Sequence, residues 1–449
     1  MQVVTSSPLL RGLSPSIAEI LRISGAAGAS IGILDGVTGE TRLAGFGYRD
    51  VGKKLPPDEH TVYHIEPALR QRIPFGSRMA QNFSQTRQAQ YLSHLILRLL
   101  HLSDQDGYII NWGYDLLSGV VAAVSGSTWA DFVSERILKP LNLTETTTGL
   151  YPPGENWAHG YMPDPSCEPH DVGRPVIADG TVHQGSNGVK STVHHLLIYY
   201  KAVIDTYRLE TEEGINMKPD RLTHLLRKVK DLLTPYIPLD PDAGFETGGQ
   251  WCGAGWAIAE LPAPLGRIGT NGMFIDPMPL VGRGCESRGG SGKTKIWYHN
   301  GSLVGFFSSV HILSESGTIV VVLANSITKN DAPDWVGQLL VENLLDCKER
   351  NNYVALAKQS ADGYDEMWRK LPGEMEKAKT PGSHGRPLPE YAGRYFNTIG
   401  NWFTEIIHDA DGLAFSFQGR ATQVHRLEIF GQDTFSWLLT EEQSRQRGR

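Results

Sequence analysis

The chain has 449 residues, 40 % apolar and 20 % charged, with 49 acidic side chains against 42 lysines and arginines and a net charge of −7. This is globular composition at a length that exceeds one ordinary domain. No basic block supplies a nucleic-acid footprint, and no stretch approaches the roughly 18 apolar residues of a membrane span. The opening MQVVTSSPLLRGLSPS lacks a basic start followed by an apolar run, so no secretory leader is expected. The four cysteines, Cys167, Cys252, Cys285 and Cys347, match no zinc or redox spacing. The expectation is a cytoplasmic protein with four reduced thiols.

In chain order, residues 14–24 carry a capping serine and apolar residues at helical spacing, Ile17, Ile20, Leu21 and Ile23. ASIGILDG (29–36) and TRLAGFGYRD (41–50) read as an antiparallel strand pair. Between about 85 and 235 the pattern is helical, with segments at 88–103, 112–124, 128–138, 191–207 and 220–233. Pro-, Gly- and Asp-rich loops fill 151–187. Strands resume at 255–261, 296–303, 306–314 and 318–326, and a helix follows at 332–347. Strands from about 15–65 and 250–347 must therefore pair in one sheet around a helical insertion, with a cleft where the two parts meet. A helix at 350–371 completes this domain (1–371), and a polar Pro/Gly-rich linker follows (372–388). Short alternating strands then predict a small antiparallel barrel-like domain at 389–449.

The strongest local signal is Trp297-Tyr298-His299-Asn300-Gly301-Ser302. A strand bearing a polar, cation-capable residue followed by glycine can line a cleft, and the next backbone N–H can face a developing oxyanion. Taken alone, a histidine in a strand is more often structural. The segment through Ser326 nevertheless resembles the third active-site motif and following strands of the class C β-lactamase/esterase group. That group belongs to the serine β-lactamase and penicillin-binding-protein family. GASIGILDG with AGFGYRDV resembles its opening hairpin. Asn111-Trp112-Gly113-Tyr114 with SGSTWADFVSERILKPLNLTETT resembles its second motif. GSNGVKSTVHHLLIYYKA is similar to its Gly-Gly segment, and the tail to a lipocalin-like domain of a fungal branch.

The resemblance implies an α/β plus all-α fold, with an antiparallel sheet flanked by helices and a helical subdomain. It implies hydrolysis or acyl transfer on an ester, lactone or amide through an acyl-enzyme, without cofactor or metal, and the fungal branch implies a place in secondary metabolism. His299 would orient substrate with Asn300 and Gly301 beside it, the Ser302 N–H would serve the oxyanion, and Asn111 would anchor an acyl group. The partner expected is a small molecule, with neither nucleic acid nor membrane.

Two departures qualify the activity. The family's Ser-x-x-Lys nucleophile has no counterpart in HTVYHIEPALRQRIPFGSRMAQNF, and the one match in the chain, Ser326 to Lys329, ends a core strand. In the Tyr-x-Asn motif Ile109 replaces the tyrosine, leaving Tyr108 one position early as a candidate general base. Asn111 could equally cap the helix that follows it. A non-catalytic protein that binds a small molecule or a partner, or the product of a gene model lacking an exon, is therefore the alternative. Ser77 and Ser84 have no Lys or His at helical spacing, His194-His195 lack a third metal ligand, and Asp164, Glu168, His170 and Asp171 read as a solvated turn. Gly-Lys-Thr at 292–294 precedes a strand and is no phosphate loop.

Overall fold

The computed structural model describes residues 1–65, 111–151, 154, 156–181, 183–211, 225–239, 249–285, 294–380, 385–398, 400, 402–439 and 443. The chain begins with β1 (Val3–Thr5) and α1 (Pro8–Ser24). The helix starts earlier than its apolar spacing suggests. Its cap is Ser7, whose hydroxyl accepts from the Leu10 N–H, and Pro8 occupies the first turn, where no N–H is needed. Pro15 sits inside the helix, and Ser14, expected as the cap, instead donates to the Leu10 carbonyl at 2.7 Å. Next come β2 (Gly28–Leu34), β3 (Thr41–Gly47) and the short β4 (Tyr63–His64).

The helical part contains α2 (Asn111–Ser125) and α3 (Trp129–Val133), the latter capped by the Thr128 hydroxyl. It continues through β5 (Gly160–Pro163), β6 (Pro169–Gly173), α4 (Gln184–Asn187), β7 (Lys190–Ser191), α5 (Val193–Thr211) and α6 (Val229–Leu232). Of the helix expected at 220–233, α6 is the helical portion within the described residues. The return to the sheet is made by β8 (Ile237–Pro238), β9 (Gln250–Cys252), β10 (Ala257–Leu261), β11 (Thr294–Leu303), β12 (Phe306–Leu313) and β13 (Thr318–Ala324). Then come α7 (Ala332–Leu344) and α8 (Tyr353–Ala378).

Nine of these strands form one antiparallel sheet in the order β1-β3-β2-β13-β12-β11-β10-β9-β8. The first hairpin thus pairs with the last strand, Val321 opposite Gly32, across nearly 300 residues of chain. Strand alternation sorts the side chains onto two faces. Val320, Val322 and Ala324 pack with α1 and α7, through Ile17, Leu21, Trp335 and Leu340. Ile319, Val321 and Leu323 pack with α5, through Val193, Leu197 and Ile204.

One thiol expectation is corrected. Cys285 and Cys347 form a disulfide, with their Cα atoms 4.0 Å apart, whereas Cys167 and Cys252 are free. The fold explains it. Cys347 lies just beyond α7, against the same core as β10 and β11, and Cys285 precedes β11. Sequence spacing alone does not register that approach.

The chain divides into two compact units between Tyr364 and Asp365. Residue 371, expected to end the first domain, falls within α8, which continues through Pro372 to Ala378. The second unit holds β14 (Gly393–Phe396), β15 (Phe403–Asp409), β16 (Gly412–Phe417) and β17 (Val424–Arg426) in one sheet, and β18 (Glu428–Gly431) with β19 (Thr434–Ser436) in a hairpin. Its centre is aromatic. The ring of His425 stacks on Phe415 at 4.9 Å and meets Trp437 edge-on at 4.8 Å.

Candidate active site

The site is organised by the unequal lengths of β10 and β11. Their pairing ends at Ala257 opposite Tyr298, but β11 continues to Leu303, paired with β12 as far as Leu303 opposite Phe306. From His299 to Leu303 the other edge of β11 has no strand beside it among the described residues. A bound molecule therefore has backbone groups at that edge to meet. Gly305 closes the β11–β12 turn at φ +83, and a Cβ there would stand 2.7 Å from the Gly160 Cα, so the turn packs tightly on β5.

Alternation decides what each motif residue can do. His299 shares the α5 face of the sheet with Trp297, and the ring of Trp256 meets it edge-on, centroids 6.3 Å apart. Its Nε2 is enclosed and has no hydrogen-bond partner among the described residues. Burial pushes its pKa down to about 4, so the ring is neutral near pH 7 and acts as a hydrogen-bonding group rather than a cation. Trp256 is partly exposed and also meets the ring of Tyr200 edge-on, with centroids 5.7 Å apart. Trp256 does not stand out in the sequence, where the Gly-Trp step before β10 is the available signal.

Asn300 does not face the cleft. It points to the opposite face, is 2 % exposed, and its Nδ2 donates to Asp331 Oδ2 at 2.7 Å beneath α7. The expectation that its side chain binds substrate is corrected by the two-residue period of a strand. Gly301 is buried opposite Ser308, and Ser302, opposite Phe307, is partly exposed on the open stretch. Tyr108 lies outside the described residues. Asn111 is the first residue of α2, and its side chain is likewise outside the description. One turn on, Tyr114 places its hydroxyl over Gly255, where a Cβ would come within 2.5 Å of it. That brings the first turn of α2 to the residue preceding Trp256 and so next to His299. Burial holds the Tyr114 phenol up at about 12.

Two polar clusters flank this region. β4 pairs with β7, His64 opposite Lys190. His64 Nε2 donates to the Asn187 carbonyl at 2.5 Å, which fixes its tautomer, and Nδ1 faces the Tyr151 hydroxyl at 3.2 Å. Burial, aided by the Lys190 charge, lowers the His64 pKa to about 4. Lys190 is fully buried. Its ammonium donates to the carbonyls of Gly149, Ile177 and Gly188, and burial brings its pKa down to about 8. Neither residue stood out in the sequence, where Lys190 is a lone charge in a small-residue run.

The second cluster contains Asp115, His183 and Ser186, a nucleophile-triad composition without triad geometry. Asp115 Oδ2 meets His183 Nδ1 at 3.0 Å, but the Ser186 hydroxyl donates to Asp115 Oδ1 at 2.9 Å and stands 3.5 Å from the histidine. A general base must accept the serine proton, and here the carboxylate takes that place directly. With the Gly185 and Ser186 N–H groups also donating to it, Asp115 ties α2 to α4.

Ser326 and Lys329 do not form a nucleophile pair. The Ser326 hydroxyl accepts from the Ala27 N–H at 2.8 Å, the Lys329 ammonium donates to the Pro165 carbonyl at 3.0 Å, and both residues are buried. The described residues hold no cluster of three or more His, Cys, Asp or Glu fit for a metal ion. Among them no helix is long and apolar enough to cross a membrane on its own.

A helix-flanked antiparallel sheet, with a histidine strand at the rim of its helical part, defines a serine-hydrolase type of fold. The Beta-lactamase family model matches residues 110–342, more than half of the chain, and the chain belongs to the β-lactamase family. The match covers α2, β11 and most of α7. A search of the curated proteins finds no match. Similar solved structures include an octameric penicillin-binding protein homologue from Pyrococcus abyssi, 19 % identical, with 96 % of this chain and 94 % of that one covered and a TM-score of 0.49. A β-lactamase/D-alanine carboxypeptidase from Pseudomonas syringae is 16 % identical, with 77 % and 100 % covered and a TM-score of 0.49. A class C β-lactamase is 15 % identical, with 77 % and 99 % covered and a TM-score of 0.48.

Proposed function

We propose that this protein keeps the acyl-compound cleft of a β-lactamase-family hydrolase and takes a small neutral ester, lactone or amide along the open edge of β11. The observation that carries this reading is the uncharged His299, whose Nε2 has no partner among the described residues, beside a stretch of β11 that has no neighbouring strand among them. A neutral imidazole next to Trp256 favours an uncharged, partly apolar group over a carboxylate, because neither side chain offsets the cost of burying an anion. In a turnover reaction the Ser302 N–H would serve the oxyanion, Asn111 would hold the acyl group, and Tyr108 would be the base.

The chain's single Ser-x-x-Lys pair is locked into the fold, which favours a second reading, binding without an acyl-enzyme. Incubation with a fluorophosphonate and with an activated aromatic ester, followed by intact-mass analysis, separates the two. Stoichiometric serine labelling with turnover supports the hydrolase. Saturable ester binding that His299→Ala abolishes, without a mass increase, supports the binder. Neither labelling nor His299-dependent binding in folded protein sinks both.

A further inference from the structure

The α7 face of β11 and β12 carries a group of polar side chains that the cleft does not use. Tyr298 and His311 are cross-strand partners whose rings lie parallel, 5° apart in orientation, with centroids at 6.1 Å. Asp334 and Gln338 face them from successive turns of α7, and Asn300 lies on the same face. Tyr298, His311, Asp334 and Gln338 are fully buried, and Asn300 is 2 % exposed. Part of their capacity is met. Asn271 and Gln338 donate to Asp334 Oδ2 at 2.9 and 2.8 Å, and Asn300 donates to Asp331.

Six atoms remain without a hydrogen-bond partner among the described residues: Tyr298 Oη, Asn300 Oδ1, both ring nitrogens of His311, Asp334 Oδ1 and Gln338 Oε1. Buried polar atoms in native proteins are nearly always paired. Six such atoms gathered on one face are far more than the occasional exception a native fold leaves. His311 Nε2 and Asp334 Oδ1 stand 3.7 Å apart, beyond a direct hydrogen bond but within the span of two groups that share a water. The group also mixes donors with acceptors, as a water needs and a cation does not. Tyr298 offers a hydroxyl proton and His311 a ring N–H, while Asn300, Asp334 and Gln338 present oxygens.

We propose that the space between α7 and the β11–β12 pair is a binding site for a small cluster of ordered waters, which bridge Tyr298, His311, Asp334 and Gln338 behind the strand that carries His299. The site is independent of any reaction in the cleft.

A high-resolution crystal structure of the full chain tests it directly. The expected result is two or more solvent peaks within about 3 Å of at least three of the six atoms. Tyr298→Phe supplies a second readout. Removing a water-bonded hydroxyl should make the unfolding equilibrium roughly five- to tenfold more favourable in urea titrations. The absence of solvent peaks would overturn the proposal, as would a Tyr298→Phe protein as stable as the parent or more so, the behaviour of a hydroxyl that never had a partner. A peak with oxygen ligands at about 2.4 Å that changes with the buffer cation would also overturn it, in favour of a metal ion.

Discussion

Breaking the Cys285–Cys347 bond isolates one constraint whose size follows from the topology. The two cysteines are 62 residues apart in sequence. In the chain-entropy picture, closing a loop of that length removes roughly 14 cal/mol/K from the unfolded ensemble, or about 4 kcal/mol at 25 °C. The loop contains all of β11 and β12, so the bond restrains the unfolded chain across the central strands of the sheet. Two perturbations remove it, dithiothreitol on the parent protein and a Cys285→Ala/Cys347→Ala double variant. Urea unfolding followed by tryptophan fluorescence should show both losing about 4 kcal/mol against the oxidised parent, with dithiothreitol having no further effect on the double variant. Non-reducing peptide mapping checks the pairing. Finding both cysteines alkylated in native protein, or superimposable unfolding curves with and without reductant, would refute the argument.

Three other outcomes follow from the buried polar groups. His64 has an ordinary pKa of 6.5 when unfolded and about 4 when folded. Its contribution is fully present above pH 6.5 and is lost as pH falls towards 4, in total about 3 kcal/mol; stability measured from pH 7 to 4 should fall less in His64→Gln than in the parent. Lys190→Met leaves the carbonyls of Gly149, Ile177 and Gly188 without their shared donor and should cost about 3 kcal/mol or more in urea titrations, an expectation that equal midpoints would contradict. Ser326→Ala should lower stability by about 1–3 kcal/mol because the buried Ala27 N–H loses its acceptor. It should leave serine labelling and ester binding unchanged; loss of labelling with an intact fold would make Ser326 a nucleophile after all.

The sheet was legible where pattern and length agreed. β12, β13 and α7 are rich in apolar residues and β11 carries its motif between turn signals, and the structure has all four within two or three residues of the expected limits. The start of α1 is displaced because Ser14 stands where a cap would before the apolar spacing, whereas Ser7-Pro8 is the true start. The motif at 299–302 was read as a line of neighbours, whereas a strand divides it between two faces, and Asn300 went to the wrong one. Trp256, Lys190 and the disulfide were missed for one reason. Each owes its role to residues brought close by folding, and local spacing carries no record of those contacts.

Five residues of β11 extend past the end of β10, a length of about 17 Å at strand spacing. Hydrogen-bonding capacity of that kind does not discriminate by itself. Where no other part of the chain covers it, an extended chain could dock there, including the same segment of another molecule, and such edges seed aggregation unless shielded. Whatever occupies this stretch in the cell, whether ligand or another part of the chain, therefore also guards the protein against its own copies. Emptying it should raise the tendency to self-associate before it changes the fold.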